Sequence, residues 1–377
     1  MNIGASLDLG TWGLEFEVVV KTHETEKVVG DASQLRELLA RIEHHRRVAI
    51  DTEADSLHSY REKLCLIQLS LPGDDYVLDP LAIPDLAPLA TTLEEKEIVL
   101  HGADFDLRLL RRNLNYHARK IFDTVIAARL LGIREFSLAA LVKQYFNIEL
   151  PKGSQKANWG RRPLPSRMLQ YAVNDTRFLL SLAERLESEL EELGRMIWFR
   201  QSCQRAIAQA EVERPRNADE VWRISGAGAL RGRAAAILRE LWHWREKEAE
   251  AVNRPAFHIL QNEELLRAAS NFDGGNVADY RHFSNRRRET FLAAAERAMQ
   301  MDQSEWPAPR PRMGSRRSTV ASERTEQLKR KRDEVAAKLK LEPAFVAPRA
   351  TLEAIANDAK DIEKLLAPWQ REVLEVD

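Results

Sequence analysis

Arg47-Val48-Ala49-Ile50-Asp51-Thr52-Glu53-Ala54-Asp55 sets acids at the end of a short apolar run, where a strand facing a core ordinarily carries hydrophobic or small residues. Side chains along a strand alternate faces, so Val48, Ile50 and Thr52 share one side and Ala49, Asp51 and Glu53 the other. The Asp51 and Glu53 carboxylates therefore converge. Two like charges this close repel and raise one another's pKa unless cations lie between them, which makes the pair a candidate site for hard, oxygen-seeking metal ions. The competing reading is a strand edge whose acids simply reach water.

Upstream of this strand, Asp31 is placed to cap a helix whose Leu35, Leu38, Leu39 and Ile42 recur at the spacing of one buried face. Residues 1–27 have no clear period, although Phe16-Glu17-Val18-Val19-Val20 has the composition of one further strand. Downstream, the apolar run Leu64 to Leu71 ends at Pro72-Gly73-Asp74-Asp75 and resumes at Tyr76-Val77-Leu78, which reads as a hairpin. The sheet thus opens with three antiparallel strands. Helical material around Leu86 to Leu93 precedes a fourth strand, Ile98-Val99-Leu100, which stops at His101-Gly102-Ala103 before a helix carrying Leu107, Leu109 and Leu110. From Phe122 the pattern is helical: Thr124 to Leu131, Ser137 to Tyr145, a polar loop from Pro151 to Pro165, one long helix from Ser166 to about Leu193, then a connecting helix and linker over 195–215. Strands early, helices later and one strand-helix-strand passage predict an α/β domain, a mixed sheet covered by helices.

The second half reads as wholly helical. Pro255-Ala256-Phe257 returns as Pro343-Ala344-Phe345, 88 residues later, each after a charged helical stretch, an echo that suggests duplicated small helical modules. Pro307, Pro309 and Pro311 beside Gly314, Ser315 and Ser318 mark a linker between the copies.

At 377 residues, two or three domains are expected, and 44% hydrophobic with 31% charged residues is the composition of a soluble globular protein. No apolar run reaches the length of a membrane span, and Met1 to Trp12 lacks the order of a secretory signal, so a cytoplasmic location is expected with no membrane association. Only Cys65 and Cys203 are present, which argues against a disulfide framework or a thiolate zinc site. The net charge of −1 conceals a basic tract over residues 281–340, with 16 Lys and Arg against 8 Asp and Glu. Such a tract suits a polyanion, or is the solvated face of a helix.

Two further acid sites fall where a metal cluster needs them. In His101-Gly102-Ala103-Asp104-Phe105-Asp106-Leu107 the acids open a helix at the end of a strand, and Asp104 as its cap leaves Asp106 free to face inward. In Tyr171-Ala172-Val173-Asn174-Asp175, the tyrosine and the last acid stand one helical turn apart on an otherwise apolar face. Each residue also has an ordinary structural role open to it: Tyr171 as a half-buried core residue, Asp175 paired with Arg177, Asp106 with Arg108 or Arg111.

Asp-x-Glu, then Asp, then Tyr-x-x-x-Asp resembles the tyrosine-bearing branch of the DEDD exonuclease superfamily, and within it ribonuclease D and its exosome-associated relatives. Leu66-Ile67-Gln68-Leu69, Phe122-Asp123-Thr124, and Trp159 with Arg162-Pro163-Leu164 support the match. The resemblance covers about residues 28–210; 216–299 resembles the HRDC helical module of such proteins, 300–319 reads as a linker, and 320–377 as a second, diverged HRDC-like copy. The N-terminal extension, 1–27, finds no counterpart.

The resemblance implies a ribonuclease H-like mixed-sheet exonuclease domain followed by all-α HRDC-type domains. It places the motif-two acid on Asp106, because the family's acid precedes Leu or Ile. It implies a catalytic set of Asp51, Glu53, Asp106, Tyr171 and Asp175, whose four carboxylates hold two divalent ions, Mg²⁺ or Mn²⁺. A phenol, with its pKa near 10, suits Tyr171 to orienting water rather than to acting as a base. The implied reaction is 3′-5′ hydrolysis of RNA to nucleoside 5′-monophosphates, with tRNA precursors as substrate and no protein partner evident. His101, Lys152, Lys156, Trp159 and Arg162, with Arg161, are the candidates for gripping the strand. Asp55, His58, Asp79 and Asp123 are assigned supporting roles. The rivals are a 3′-5′ DNA exonuclease, since one metal site serves either backbone, and a non-catalytic RNA-binding scaffold.

Overall fold

A computed structural model describes residues 27–151, 153–212, 219–309, 319–357 and 362–376. Phe16 to Val20 and Lys152 lie outside them. The first unit runs β1 (Lys27–Val29), α1 (Ala32–Glu43), β2 (Arg47–Ala54), β3 (Leu64–Leu71), β4 (Asp74–Leu78), α2 (Ala87–Glu94), β5 (Glu97–Leu100), α3 (Asp104–Leu114), β6 (Lys120–Asp123), α4 (Thr124–Leu130), α5 (Leu138–Phe146), α6 (Ser166–Arg177), α7 (Leu179–Glu192) and α8 (Met196–Glu211).

The six strands lie in the order β1-β4-β3-β2-β5-β6. Strands β2, β3 and β4 are antiparallel, while β5 runs parallel to β2 and β6, and β1 parallel to β4, so the sheet is mixed. The β3–β4 turn is closed by Pro72 and Gly73, the glycine supplying a φ of 91° that a side chain would resist. Asp31 caps α1 through its carboxylate, accepting from the Ser33 and Gln34 amides, and Leu35, Leu38 and Ile42 are buried beneath it.

Three elements of this first unit differ from the sequence pattern. Lys120–Asp123 is an edge strand, not helix; four residues are too few to show a period, and β6 follows β5 through α3 as a parallel crossover must. The expected single helix after Ser166 is two, α6 and α7, which part at Phe178 without a proline or glycine to signal it. Lastly, α8 is no connector. Phe199 packs on Phe122 with ring centroids 4.5 Å apart, and Arg108 donates to the Gln209 and Val212 carbonyls at the helix end.

The second unit is helical: α9 (Gly232–Ala251), α10 (Ala256–Ile259), α11 (Asn262–Asp273) and α12 (Asn285–Met299), around a core containing Trp222, Leu241, Trp244, Leu265 and Phe291. It meets the first unit at the β2–β3 connection, where the Tyr60 amide donates to Asn253 Oδ1 and Arg61 pairs with Glu250. Residues 303–308, expected in a linker, pack on this unit: Arg239 and Arg223 donate to the Glu305 and Ala308 carbonyls.

The chain ends in α13 (Thr319–Leu339), α14 (Pro343–Val346), α15 (Arg349–Ala356), α16 (Ile362–Leu365) and α17 (Pro368–Leu374). The two helical units share a device. Arg245 is buried in α9 and donates to the Leu260 carbonyl after α10; Arg332 is buried in α13 and donates to the Ala347 carbonyl after α14, 87 residues later in each case. The left-handed residues Asn253 and Lys340 keep the same offset. The Pro-Ala-Phe echo at 88 is therefore out of register by one: Pro255 precedes α10 as its cap, whereas Pro343 is already inside α14.

Helices α13 to α17 bury Leu341, Val346, Leu352, Trp369 and Leu374 in a core continuous with that of the first unit. Trp369 stacks on Trp198 at 5.1 Å and donates from Nε1 to Ser202, Arg129 pairs with Glu342, and Arg195 donates to the Leu339 carbonyl. Gly132, at φ 81°, lets the backbones meet, since a Cβ there would lie 2.6 Å from the Lys340 carbonyl oxygen. Among the described residues no helix is long and apolar enough to cross a membrane.

Candidate active site

Strand β2 pairs with β5 only as far as Ala49, so beyond it one edge of β2 is free of a strand partner. Asp106, on the first turn of α3, takes that place. Its Oδ1 accepts from the Thr52 amide at 3.1 Å and from the Thr52 hydroxyl at 2.5 Å. The two acids of motif two are thereby separated. Asp106 is 5% exposed, whereas the Asp104 side chain is 69% exposed and pairs with Arg108. Asp104 does not cap α3 as expected. The loop before that helix is held instead by Asp123, whose carboxylate accepts from the Gly102 and Ala103 amides and also caps α4 through the Val125 and Ile126 amides.

Helix α6 lies over β3 and β4 with Met168, Ala172, Val173 and Thr176 buried, and this turns Tyr171 and Asp175 toward the end of β2. Oxygens of Asp51, Glu53 and Asp175 all come within 4.8 Å of one another. With Asp106 they form one wall of a cleft of about 820 Å³, and Phe105, Leu138, Leu150 and Pro151 give it an apolar side.

Crowding of like charge away from water dominates the electrostatics. Burial, then the charges of Asp106, Asp175 and Glu53, push the Asp51 carboxyl well above the usual carboxylate range. Burial and the neighbouring acids Asp175 and Asp106 push Glu53 up to about 9. Asp175 rises to about 7 through burial and Asp106, with hydrogen bonding from Tyr171 pulling the other way. Asp106 rises only to about 6, because the Thr52 donors oppose its burial. The Tyr171 phenol is also raised, by burial and then by Asp175, Glu53 and Asp51, so it stays protonated near neutral pH. Hard, anionic oxygen donors around one point suit Mg²⁺ or Mn²⁺ better than a soft ion.

His101 lines the cleft, its Nδ1 2.8 Å from the Thr124 hydroxyl, which itself donates to the Leu100 carbonyl; Nδ1 is therefore the protonated nitrogen. Burial lowers its pKa, keeping the ring neutral near pH 7.

Among the described residues, the strand-gripping candidates are not brought together. Trp159 is 1% exposed and packs with Cys65, Leu66, Val77 and Met168, its ring 6.2 Å from that of Tyr171; it supports the helix that carries the tyrosine and offers no surface to a strand. Arg162 is spent on Asp79, at 2.5 and 2.7 Å, and on the Trp159 and Cys65 carbonyls, which latches the loop to the sheet. Sequence alone does not separate such a latch from a phosphate grip, since both need a guanidinium in a polar loop. Lys156 and Arg161 are exposed, and the Lys156 carbonyl accepts from His58 Nε2 at 3.2 Å. Phe105, Leu138 and Gln155 line the cleft and were not singled out; the signal for Phe105 was its place between the acids of motif two.

A family model described as a 3′-5′ exonuclease matches residues 27–191, and one for the HRDC domain matches 234–272. Ribonuclease D of Pseudomonas paraeruginosa is 30% identical over 274 residues, 70% of this chain and 72% of that protein. Ribonuclease D of Haemophilus influenzae is 32% identical over 65% of this chain and 62% of its own length. The Drosophila melanogaster exosome complex component 10 homolog is 30% identical over 65% of this chain but only 28% of its own length. The chain thus spans less than two thirds of the last two. In fold, it is similar to a protein from Bifidobacterium adolescentis (TM-score 0.77, 21% identity, 92% of this chain and 94% of that one) and to Escherichia coli RNase D (TM-score 0.70, 22% identity, 93% and 99%). With 30% identity spanning 72% of one ribonuclease D, and the exonuclease and HRDC models matched in that order along the sequence, the chain belongs to the ribonuclease D family.

Proposed function

We propose that this protein is a metal-dependent 3′-5′ exoribonuclease that removes nucleoside 5′-monophosphates from the 3′ end of structured RNA, tRNA precursors among its substrates. The carrying observation is the meeting of Asp51, Glu53 and Asp175 beside Asp106 in a cleft that also holds Tyr171. The ribonuclease D relatives, and the Escherichia coli RNase D, an exoribonuclease involved in structured RNA processing, support RNA as the polymer. The domain reading is exonuclease over 28–210, HRDC over 216–299 and a second, HRDC-like unit over 320–377; the recurrence of the buried arginine after 87 residues supports the last of these. The location proposed is the cytoplasm.

Asp51, Glu53, Asp106 and Asp175 would hold two Mg²⁺ or Mn²⁺ ions. When bound, such ions lower the pKa of water and stabilise charge on the leaving oxygen. Tyr171, which stays protonated near neutral pH, orients the attacking water through its hydroxyl. Thr52 keeps Asp106 turned into the cleft, Trp159 keeps α6 in place, and the apolar wall at Phe105 and Leu138 excludes water and receives bases.

The test is digestion of a 3′-extended tRNA and of matched RNA and DNA oligonucleotides, with and without a chelator. Release of 5′-mononucleotides from RNA that stops on chelation is expected. Full activity in chelator, or RNA binding with no digestion that Asp51→Asn leaves unchanged, would refute the reading; faster digestion of DNA would reassign the substrate.

A further inference from the structure

Gln68 stands in the middle of β3, fully buried, and neither its Nε2 nor its Oε1 has a hydrogen-bond partner. An amide left dry and unpaired weakens a fold, and native structures rarely tolerate one with both atoms idle. The ladder fixes its neighbours: Gln68 is paired with Asp51 on β2 and with Val77 on β4. Directly opposed residues project from the same face with Cβ atoms about 4.5–5.5 Å apart, within reach of a glutamine side chain. Along its own strand, Leu66 and Ser70 share that face; Leu66 is apolar, and the Ser70 hydroxyl is already engaged by Asp75 at 2.7 Å and Thr176 at 2.8 Å. Of these neighbours, Asp51 alone is polar and not engaged elsewhere in that way.

We infer that Gln68 is a positioning residue for the metal site: its Nε2, unpaired in the metal-free fold, donates to the Asp51 carboxylate when cations are held there and fixes the plane in which that carboxylate faces the cleft. The inference rests on the metal-dependent reading above. An amide is suited to this place. Lysine or arginine beside Asp51 would stabilise the anion too, but would repel the cations it is to hold, whereas a neutral donor orients it and adds no charge. Partners of ligating carboxylates typically contribute 10- to 100-fold to metal affinity.

Gln68→Met tests this in the full-length chain, since it removes both polar atoms and keeps an unbranched shape. Mn²⁺ alone is titrated by electron paramagnetic resonance, and unfolding is followed without metal. The expected result is an Mn²⁺ dissociation constant raised about 10- to 100-fold, with the metal-free melting temperature unchanged or higher because an unpaired amide has been removed. Gln68→Leu, of different shape, should behave alike. Affinity within about twofold of the natural chain would overturn the inference, as would metal-free destabilisation of both variants, which would place the amide's partner inside the fold. A natural chain that binds no Mn²⁺ would instead bring down the metal-dependent reading itself.

Discussion

Asp104 and Asp106 are two residues apart and differ in every respect that matters to a cation: one lies in water against Arg108, the other is buried against Thr52. Asp106→Asn is expected to lower the rate of RNA digestion by more than the roughly hundredfold typical of a residue behind a ligand, while Asp104→Asn changes it little; steady-state kinetics on a short single strand distinguish them. Thr52→Val keeps the shape and loses the hydroxyl, so Asp106 retains only the amide donor, and a loss of about 10- to 100-fold is expected in activity or Mn²⁺ affinity. The same acids set a pH dependence. Their folded pKa values, about 6 for Asp106, about 7 for Asp175 and about 9 for Glu53, all lie above an unfolded carboxylate near 4. Raised values mean that the fold favours the protonated forms, so their contribution is complete below the unfolded pKa and is lost as pH rises through the folded ones. Melting of metal-free protein should therefore fall between pH 5 and about 9, and Mg²⁺ should raise it more at the alkaline end; a metal-free melting temperature that rises over this range would contradict the cluster.

At the scale of the element, the loop from Pro151 to Pro165 is tied to the sheet by Arg162, with Asp79 on one side and two carbonyls on the other. Burial raises the Asp79 carboxyl, but the hydrogen bond and charge of Arg162, with the Leu81 and Ala82 amides, together outweigh it and hold the group below its usual range. Removing one partner of such a pair strands the other, a cost moderated here because both remain partly exposed; Arg162→Ala is expected to destabilise by about 1–3 kcal/mol. The loop would then release Trp159 from its layer, and a red shift of tryptophan emission with preserved metal affinity is the signature. An arginine that gripped phosphate would leave emission unchanged and raise KM alone.

For the molecule as a whole, the last helices are part of the exonuclease unit's core rather than a detachable tail. Trp369 is fully buried against Trp198 and Ser202. Trp369→Ala is expected to cost about 3–5 kcal/mol, read by denaturant unfolding, and a chain truncated before α13 should aggregate because Trp198 and its neighbours lose their cover. The HRDC unit has its own core and touches the first unit at the Tyr60 and Arg61 connection. An Arg61→Ala change, at an exposed pair, should leave stability within about 1 kcal/mol.

Much of this protein was legible in its sequence, because the signals were local. The alternation through Asp51 and Glu53, the turn at Pro72 and Gly73, the cap at Asp31 and the one-turn spacing of Tyr171 and Asp175 each follow from backbone geometry within a few residues, and the order of the motifs carried the family. What the tertiary structure alone decided was the use of side chains whose partners are distant in sequence. Arg162 binds Asp79, Trp159 lies under Tyr171, Asp106 closes the open edge of β2, and α13 to α17 share a core with helices more than a hundred residues earlier. A guanidinium, an indole or an apolar helical face looks the same in sequence whether it meets a ligand or the rest of its own chain; the difference is made by which surfaces the fold brings together and so removes from water.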